Sequence, residues 1–150
     1  MPPLDWLIRP IAHRGLHRAQ DGIIENTASA FEAAIDANYA IETDVRTSAD
    51  GQAMVFHDAS LDRLTTGDGD VATLAAAELK KTPFRATGDR MQALPDLLDQ
   101  VAGQVPLVIE VKSDWNDPGP LERRIATDLA EYKGHVAVMS FDPRSVKAFA

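Results

Sequence analysis

Charged side chains interrupt segments of this sequence that otherwise have the apolar character of buried strands. Glu42 and Asp44 lie two residues apart in YAIETDV, and His57 follows the apolar residues of QAMVFHD. Because strand side chains alternate between two faces, Glu42 and Asp44 are expected on one face, opposite Ile41. Unpaired charges on a buried face are costly. The pattern therefore predicts that these side chains interact with a bound partner.

A later segment, PLVIEVKS, repeats the pattern and places Glu110 and Lys112 together on one face. In isolation, a Glu-x-Asp pair is most often a solvated strand end, and Glu110 with Lys112 is as often a structural ion pair as a functional one. Their joint occurrence at successive strand ends favours a cation site. Carboxylate oxygens prefer hard divalent cations, which makes Mg²⁺ and Ca²⁺ the first candidates and Mn²⁺ a third. The chain has no cysteine, which excludes disulfides and thiolate zinc sites.

Apolar patterning predicts strands that alternate with helices, which is typical of a parallel sheet. The five predicted strands are LIRPIAH, YAIETDV, QAMVFHD, PLVIEVKS and HVAVMSF. The predicted helices are TASAFEAAIDAN, LPDLLDQVAG, GPLERRIATDLAEYKG and one that begins in DPRSVKAFA. Thr27 or Asn26 is expected to cap the first helix, Asn38 to end it, and Gly103 to end the second.

Two parts of this pattern are less regular. Residues 58–93 form a polar excursion with one helical piece, ATLAAAELKK. The link RTSADG is too short for a crossover helix, and it leaves two alternatives open, a tight hairpin or an extended descent outside a barrel.

Polar residues end each predicted strand: His13, Asp44, His57, Lys112 and Ser140. A β/α barrel builds its active site at this end of its strands. An open doubly wound sheet also binds ligands there. No dinucleotide glycine fingerprint or Walker loop occurs, which argues against a nucleotide-binding protein.

Composition narrows the classes of partner. A chain of 150 residues is enough for one domain, and its net charge of −8 argues against a nucleic-acid backbone as the partner. No apolar run approaches the roughly 20 residues that span a bilayer. The N-terminal residues lack the basic start and long apolar stretch of a signal peptide, so we expect a cytoplasmic protein.

Several motifs in order resemble the glycerophosphodiester phosphodiesterases. They are AHRG, ENTASAF, IETDVRTSADGQAMVFHD, LDRLTTGDG, VIEVK and MSF, and they run from residue 12 to residue 141. The resemblance implies an α/β fold, a (β/α)8 TIM barrel of the phospholipase C-like phosphodiesterase type, with a small insertion at about residues 58–93. It also implies one divalent cation and hydrolysis of small glycerophosphodiesters to an alcohol and glycerol 3-phosphate, a reaction of lipid and glycerol metabolism.

The resemblance also implies roles for individual residues. Glu42, Asp44 and Glu110 would be metal ligands, His13 and His57 the catalytic acid and base, and Arg14 and Lys112 the groups that meet the phosphate. Glu25 and Asn26 belong to the family's PENT motif and are expected at the substrate, although Ile24 replaces the motif's proline here.

Length is the feature that departs most from the family. A closed eight-stranded barrel typically needs about 250 residues. We therefore expect residues 1–150 to be the N-terminal part of such a barrel domain, ending after about five strands. Open edges would favour self-association. Two alternatives to a glycerophosphodiester phosphodiesterase stay open. The first is a non-catalytic fragment or binding module, and the second is a related phospholipase D-like barrel enzyme of the sphingomyelinase D type.

Overall fold

In the computed structural model, which describes residues 5–116 and 118–150, the chain folds into a sheet of five strands with helices packed against it. The strands are β1 (Ile11–His13), β2 (Ala40–Thr47), β3 (Ala53–Val55), β4 (Leu107–Val111) and β5 (Val136–Met139). The helices are α1 (Ala28–Asp36), α2 (Ala76–Lys81), α3 (Leu94–Val101), α4 (Pro120–Leu129) and α5 (Pro143–Ala148).

Four of the strands run parallel, in the order β1-β2-β4-β5. The strand β3 pairs antiparallel with the last residues of β2, where Thr47 lies opposite Ala53. The link RTSADG therefore forms a tight hairpin, which decides between the two alternatives that the sequence left open. The hairpin returns the chain to the end of β2, since the backbone N–H of Phe56 donates to the carbonyl of Asp44 at 3.1 Å.

The two faces of β2 and β4 have different surroundings. Ile41 and Val45 of β2, with Leu107 and Ile109 of β4, belong to one buried apolar cluster that also contains side chains of α1, α3 and α4. The alternate positions carry Glu42, Asp44 and Arg46 on β2 and Glu110 on β4. Helix packing on one face therefore leaves the carboxylates together on the other.

Residues 58–93 have an apolar cluster of their own beside the main one. Phe56, Leu61, Leu79 and Phe84 are buried in it, together with Met54 of the hairpin. The helical piece that the sequence indicated is shorter in the structure, because a 3-10 turn at Val71–Thr73 precedes α2. The excursion is therefore a packed unit, held against the sheet through the hairpin.

The expected ends of the elements agree with the structure only in part. The first strand begins at Ile11, because Asp5–Leu7 forms a 3-10 turn instead. Thr27 is the N-cap residue of α1, as expected, but its hydroxyl donates to the carbonyl of Ile24 at 2.7 Å and makes no capping hydrogen bond. The C-cap of α3 is Ala102, with a φ of 48°, and the expected Gly103 follows it, as Asn38 follows the C-cap Ala37 of α1.

The expected end of α1 agrees with the structure. Asn38, with a φ of 56°, follows the last turn of α1. The Asp142 side chain caps α5 by accepting from the backbone N–H of Arg144. Among the described residues, none of the helices combines the length and the apolar character that a membrane span requires.

Candidate active site

Three carboxylates converge at the carboxyl end of the parallel strands. The register pairs Asp44 of β2 with Glu110 of β4, and Glu42 lies two residues before Asp44 on the same face. Each of the three side chains offers an oxygen, and these oxygens all lie within 4.8 Å of one another. All three residues are buried. The structure thus brings together the three predicted metal ligands.

Two cationic side chains adjoin the cluster. The ammonium of Lys112 lies 2.7 Å from Glu110 Oε1 and 3.4 Å from Asp44 Oδ1. The guanidinium Nε of Arg14 lies 3.6 Å from Asp44 Oδ2, and the backbone N–H of Arg14 donates to Glu42. The two cations offset part of the negative charge, which lets three carboxylates stay close together.

The loop after β1 holds Arg14 in place through close packing against α1. Arg14 has a φ of 60°, and Gly15, with a φ of 78°, follows it. A Cβ on Gly15 would lie 2.8 Å from the Cβ of Ala30, so a larger residue would push the loop off the helix. The Leu16 backbone N–H donates to the carbonyl of Ala30 at 2.9 Å, which anchors the same turn.

Asn26 connects the start of α1 to the cluster. Its side-chain Nδ2 donates to Asp44 Oδ2 at 2.9 Å, and its Oδ1 accepts from the Thr43 hydroxyl at 2.8 Å. The residue is buried and has a φ of 55°. Asparagine tolerates this left-handed conformation better than most residues, which suits it to the position.

His13 lies at the open side of the cluster. The register places it opposite Glu42, and its Nε2 lies 3.8 Å from Glu42 Oε2. Its side chain is 68% exposed, which leaves the imidazole accessible to a ligand from solution.

His57 is held by the residue that follows it. Its Nδ1 lies 2.7 Å from Asp58 Oδ1, and its backbone carbonyl accepts from Arg46 Nε at 2.6 Å. Hydrogen bonds from Arg63 hold the pKa of Asp58 at about 2. Because an ionised carboxylate only accepts, Nδ1 of His57 is the ring nitrogen that donates to Asp58, and Nε2 is the ring nitrogen on the other side.

Glu25 accepts from two arginines at once, Arg14 at 2.8 Å and Arg63 at 2.8 Å. Burial alone would raise the pKa of Glu25, but the hydrogen bonds from Arg63 and Arg14 hold it below its ordinary value. Glu25 therefore stays charged beside Arg14.

Sequence reasoning missed Arg46 and Arg63. Arg46 could have been predicted, because it lies two residues after Asp44 and therefore on the same face of the strand. Arg63 lies within the motif LDRLTTGDG, which was noticed but given no role. In contrast, Ser140 at the last strand end takes no part in the cluster, since its hydroxyl donates to the Val111 carbonyl.

The cluster fits a hard divalent cation. Asp44 Oδ1 is buried and accepts no hydrogen bond, although the Lys112 ammonium lies 3.4 Å away, and a bound cation would complete its surroundings. Burial, with Asp44 and Glu110 nearby, raises the pKa of Glu42 to about 7. Oxygen donors of this kind are those that Mg²⁺ and Ca²⁺ prefer.

Residues 13–150 match the model of the glycerophosphoryl diester phosphodiesterase family. The chain belongs to this family. A glycerophosphodiester phosphodiesterase of Caldanaerobacter subterraneus is 31% identical over 147 residues, which cover 91% of this chain and 59% of the relative. The family that the sequence motifs resembled is thereby confirmed.

Solved structures of family members have the same fold. A glycerophosphodiester phosphodiesterase from Agrobacterium tumefaciens superposes with a TM-score of 0.79 at 27% identity, covering 93% of this chain and 61% of that one. A phosphodiesterase from Oleispira antarctica superposes with a TM-score of 0.87 at 23% identity, covering 97% and 62%. The chain thus has the α/β fold of the family's TIM barrels and spans about 60% of the length of these relatives.

Proposed function

We propose that the protein is a metal-dependent glycerophosphodiester phosphodiesterase, which hydrolyses a small glycerophosphodiester to an alcohol and glycerol 3-phosphate. The observation that carries the proposal is the convergence of three carboxylates, two cations and His13 at one end of the sheet, with His57 on the adjoining hairpin. Family membership supports the reaction class. The Oleispira antarctica phosphodiesterase was solved in complex with sn-glycerol-3-phosphate, which agrees with a substrate of this kind.

Charge is the first problem that the site must solve. A phosphodiester is an anion that repels nucleophiles, and its transition state gains further negative charge. Arg14 and Lys112 would bind the phosphoryl oxygens and stabilise that charge. Glu42, Asp44 and Glu110 would hold one divalent cation, Mg²⁺ or Ca²⁺, which when bound supplies further charge stabilisation at the phosphate.

The reaction also requires two proton transfers. His13 and His57 would act as the general base and the general acid. One histidine takes the proton of the attacking oxygen as the new bond to phosphorus forms. The other gives a proton to the oxygen of the alcohol that leaves. Imidazole suits both steps because its ordinary pKa lies near neutrality. Because Nδ1 of His57 contacts Asp58, Nε2 is the atom through which His57 would transfer a proton.

The remaining site residues would act through their neighbours. Asn26 and Glu25 were expected at the substrate, and their hydrogen bonds to Asp44 and Arg14 support a role in positioning these two groups. A cavity of about 340 Å³ is lined in part by Arg46, Lys112 and Ser113, and its lining includes none of the three carboxylates. It offers room for part of a substrate next to Lys112.

The test is hydrolysis of glycerophosphocholine by the purified protein, expressed from its complete reading frame, with Mg²⁺ or Ca²⁺ and then with EDTA. We expect glycerol 3-phosphate to be released only with metal, and activity to return when metal is restored. Metal binding without hydrolysis would favour a binding module instead. Turnover of sphingomyelin or lysophosphatidylcholine in place of glycerophosphocholine would favour the phospholipase D-like alternative.

Two further expectations concern the whole molecule. In the described part of the chain, β1 and β5 each pair with one neighbouring strand only, which would permit the self-association expected from the sequence. Light scattering would detect it. The cytoplasmic location likewise stays a prediction, which cell fractionation would check.

A further inference from the structure

Arg63, on the excursion after β3, uses three nitrogens to join two carboxylates. Its Nε and one terminal nitrogen donate to the two oxygens of Asp58, at 2.7 and 3.0 Å. Its other terminal nitrogen donates to Glu25 Oε1 at 2.8 Å. Arginine has the planar fork of donors that such an arrangement requires, and lysine does not.

Each of these carboxylates also holds a residue of the proposed machinery. Asp58 contacts Nδ1 of His57 at 2.7 Å, and Glu25 accepts from Arg14 at 2.8 Å. Arg63 is therefore the central member of one connected chain of polar contacts, which runs from His57 on the hairpin to Arg14 on the loop after β1.

The charges of the four ionised side chains in this series of contacts balance. Asp58 and Glu25 contribute two negative charges, and Arg63 and Arg14 contribute two positive ones. Without Arg63, one negative charge would be left over between His57 and Arg14. Glu25 would then pair with Arg14 alone and lower the attraction of Arg14 for a phosphate. Asp58 would lose both donors of the fork and hold the imidazole less firmly.

We propose that Arg63 is a positioning residue for both His57 and Arg14, so that the 58–93 excursion takes part in catalysis through this one side chain. The inference rests on the proposed function, in which His57 transfers a proton and Arg14 binds phosphate. The Arg63 side chain is 47% exposed, and Glu25 keeps its hydrogen bond to Arg14 when Arg63 is removed. Its removal should therefore impair the site more than the fold.

The test compares Arg63→Met and Arg63→Lys with Arg90→Met in the protein expressed from its complete reading frame. Arg90 is a matched control, because it lies in the same excursion, is exposed, and donates to the backbone carbonyls of Gly88 and Asp89. Three quantities are measured: kcat on glycerophosphocholine, the Kd for inorganic phosphate, and the ¹⁵N shifts of the His57 ring, which report where its proton lies.

For Arg63→Met we expect kcat to fall about tenfold or more, as with other residues that orient a catalytic group. Phosphate affinity should weaken, and the His57 ring should change from one tautomer to a mixture. Arg63→Lys should recover part of each effect, and Arg90→Met should resemble wild type. Wild-type ring shifts and phosphate affinity in folded Arg63→Met would overturn the proposal.

His57→Ala in the same assay separates this inference from the function on which it rests. An inactive His57→Ala beside a fully active Arg63→Met would leave the function standing and reject the role of Arg63. A fully active His57→Ala would instead reject the proposed part of His57 in the reaction. If Arg63→Met does not fold, Arg63→Lys gives the decisive result, because it keeps the charge and loses the fork.

Discussion

The side chain of Asn26, at the start of α1, donates to Asp44 Oδ2 on β2 at 2.9 Å, and both residues are buried. The same amide accepts from Thr43, so its orientation is fixed from both ends. A carboxylate oriented in this way is preorganised to bind a cation, because little conformational freedom is lost on binding. The contact joins the PENT-like loop directly to the carboxylate cluster.

The first prediction is that Asn26→Ala weakens Mg²⁺ or Ca²⁺ affinity about tenfold or more, the usual scale for partners of metal ligands. Isothermal titration measures the change. Asn38→Ala is the matched control, because Asn38 also has a left-handed backbone, with a φ of 56° against 55° for Asn26. Equal loss of affinity in both variants would attribute the effect to backbone strain and not to the contact with Asp44.

The second prediction concerns the metal ligands. Glu42→Gln should weaken divalent-cation affinity at least about tenfold, since it removes one of three charged oxygen donors. Glu32→Gln, an exposed glutamate on α1, should bind as wild type does. Titration of Mg²⁺ and of Ca²⁺ into wild type, Glu42→Gln and Glu32→Gln compares the affinities of the three proteins. Unchanged affinity in Glu42→Gln would show that Glu42 is not a metal ligand.

The third prediction concerns the histidines. His13→Ala and His57→Ala should each lower kcat by about 10²-fold or more, the usual contribution of acid–base catalysis. Metal affinity should change little in either variant. His17→Ala, which alters another exposed histidine, should keep wild-type turnover. A histidine whose loss leaves kcat near that of wild type is structural.

The fourth prediction follows from the raised pKa of Glu42, about 7 against an ordinary value of 4.5. Between these two values the folded state binds more protons than the unfolded state. The free energy of unfolding should therefore fall as pH rises through this window, through the growing cost of the buried charge. Urea unfolding in EDTA, at about pH 5 and pH 8, measures the change.

Glu42→Gln isolates this effect, because glutamine does not titrate. The drop in stability from acid to neutral pH should be smaller in Glu42→Gln than in wild type. Asp58, whose pKa is held at about 2, titrates below this window and does not interfere. Metal affinity of the wild type should also rise with pH, since binding must displace the proton of Glu42. Identical pH dependence of stability in both proteins would show that Glu42 is ionised throughout.

Features that depend on a local pattern of residues could be predicted from the amino-acid sequence. Alternation along β2 and β4 was enough to predict that Glu42 shares a face with Asp44 and Glu110 with Lys112. Helix and strand order likewise followed from apolar periodicity, and the ordered motifs led to the correct family. These features are set by residues a few positions apart, so they can be read from the chain alone.

Features that depend on contacts between distant residues could be seen only in the three-dimensional fold. The pairing of Asp44 with Glu110 depends on the register of two strands, and the hairpin direction of β3 depends on how the RTSADG turn folds. The bond from Arg63 to Glu25 joins residues 38 positions apart, on two loops whose approach no periodicity encodes. Chain packing as a whole places such loops, which is why the sequence supplied the charged groups of the site without the contacts that orient them.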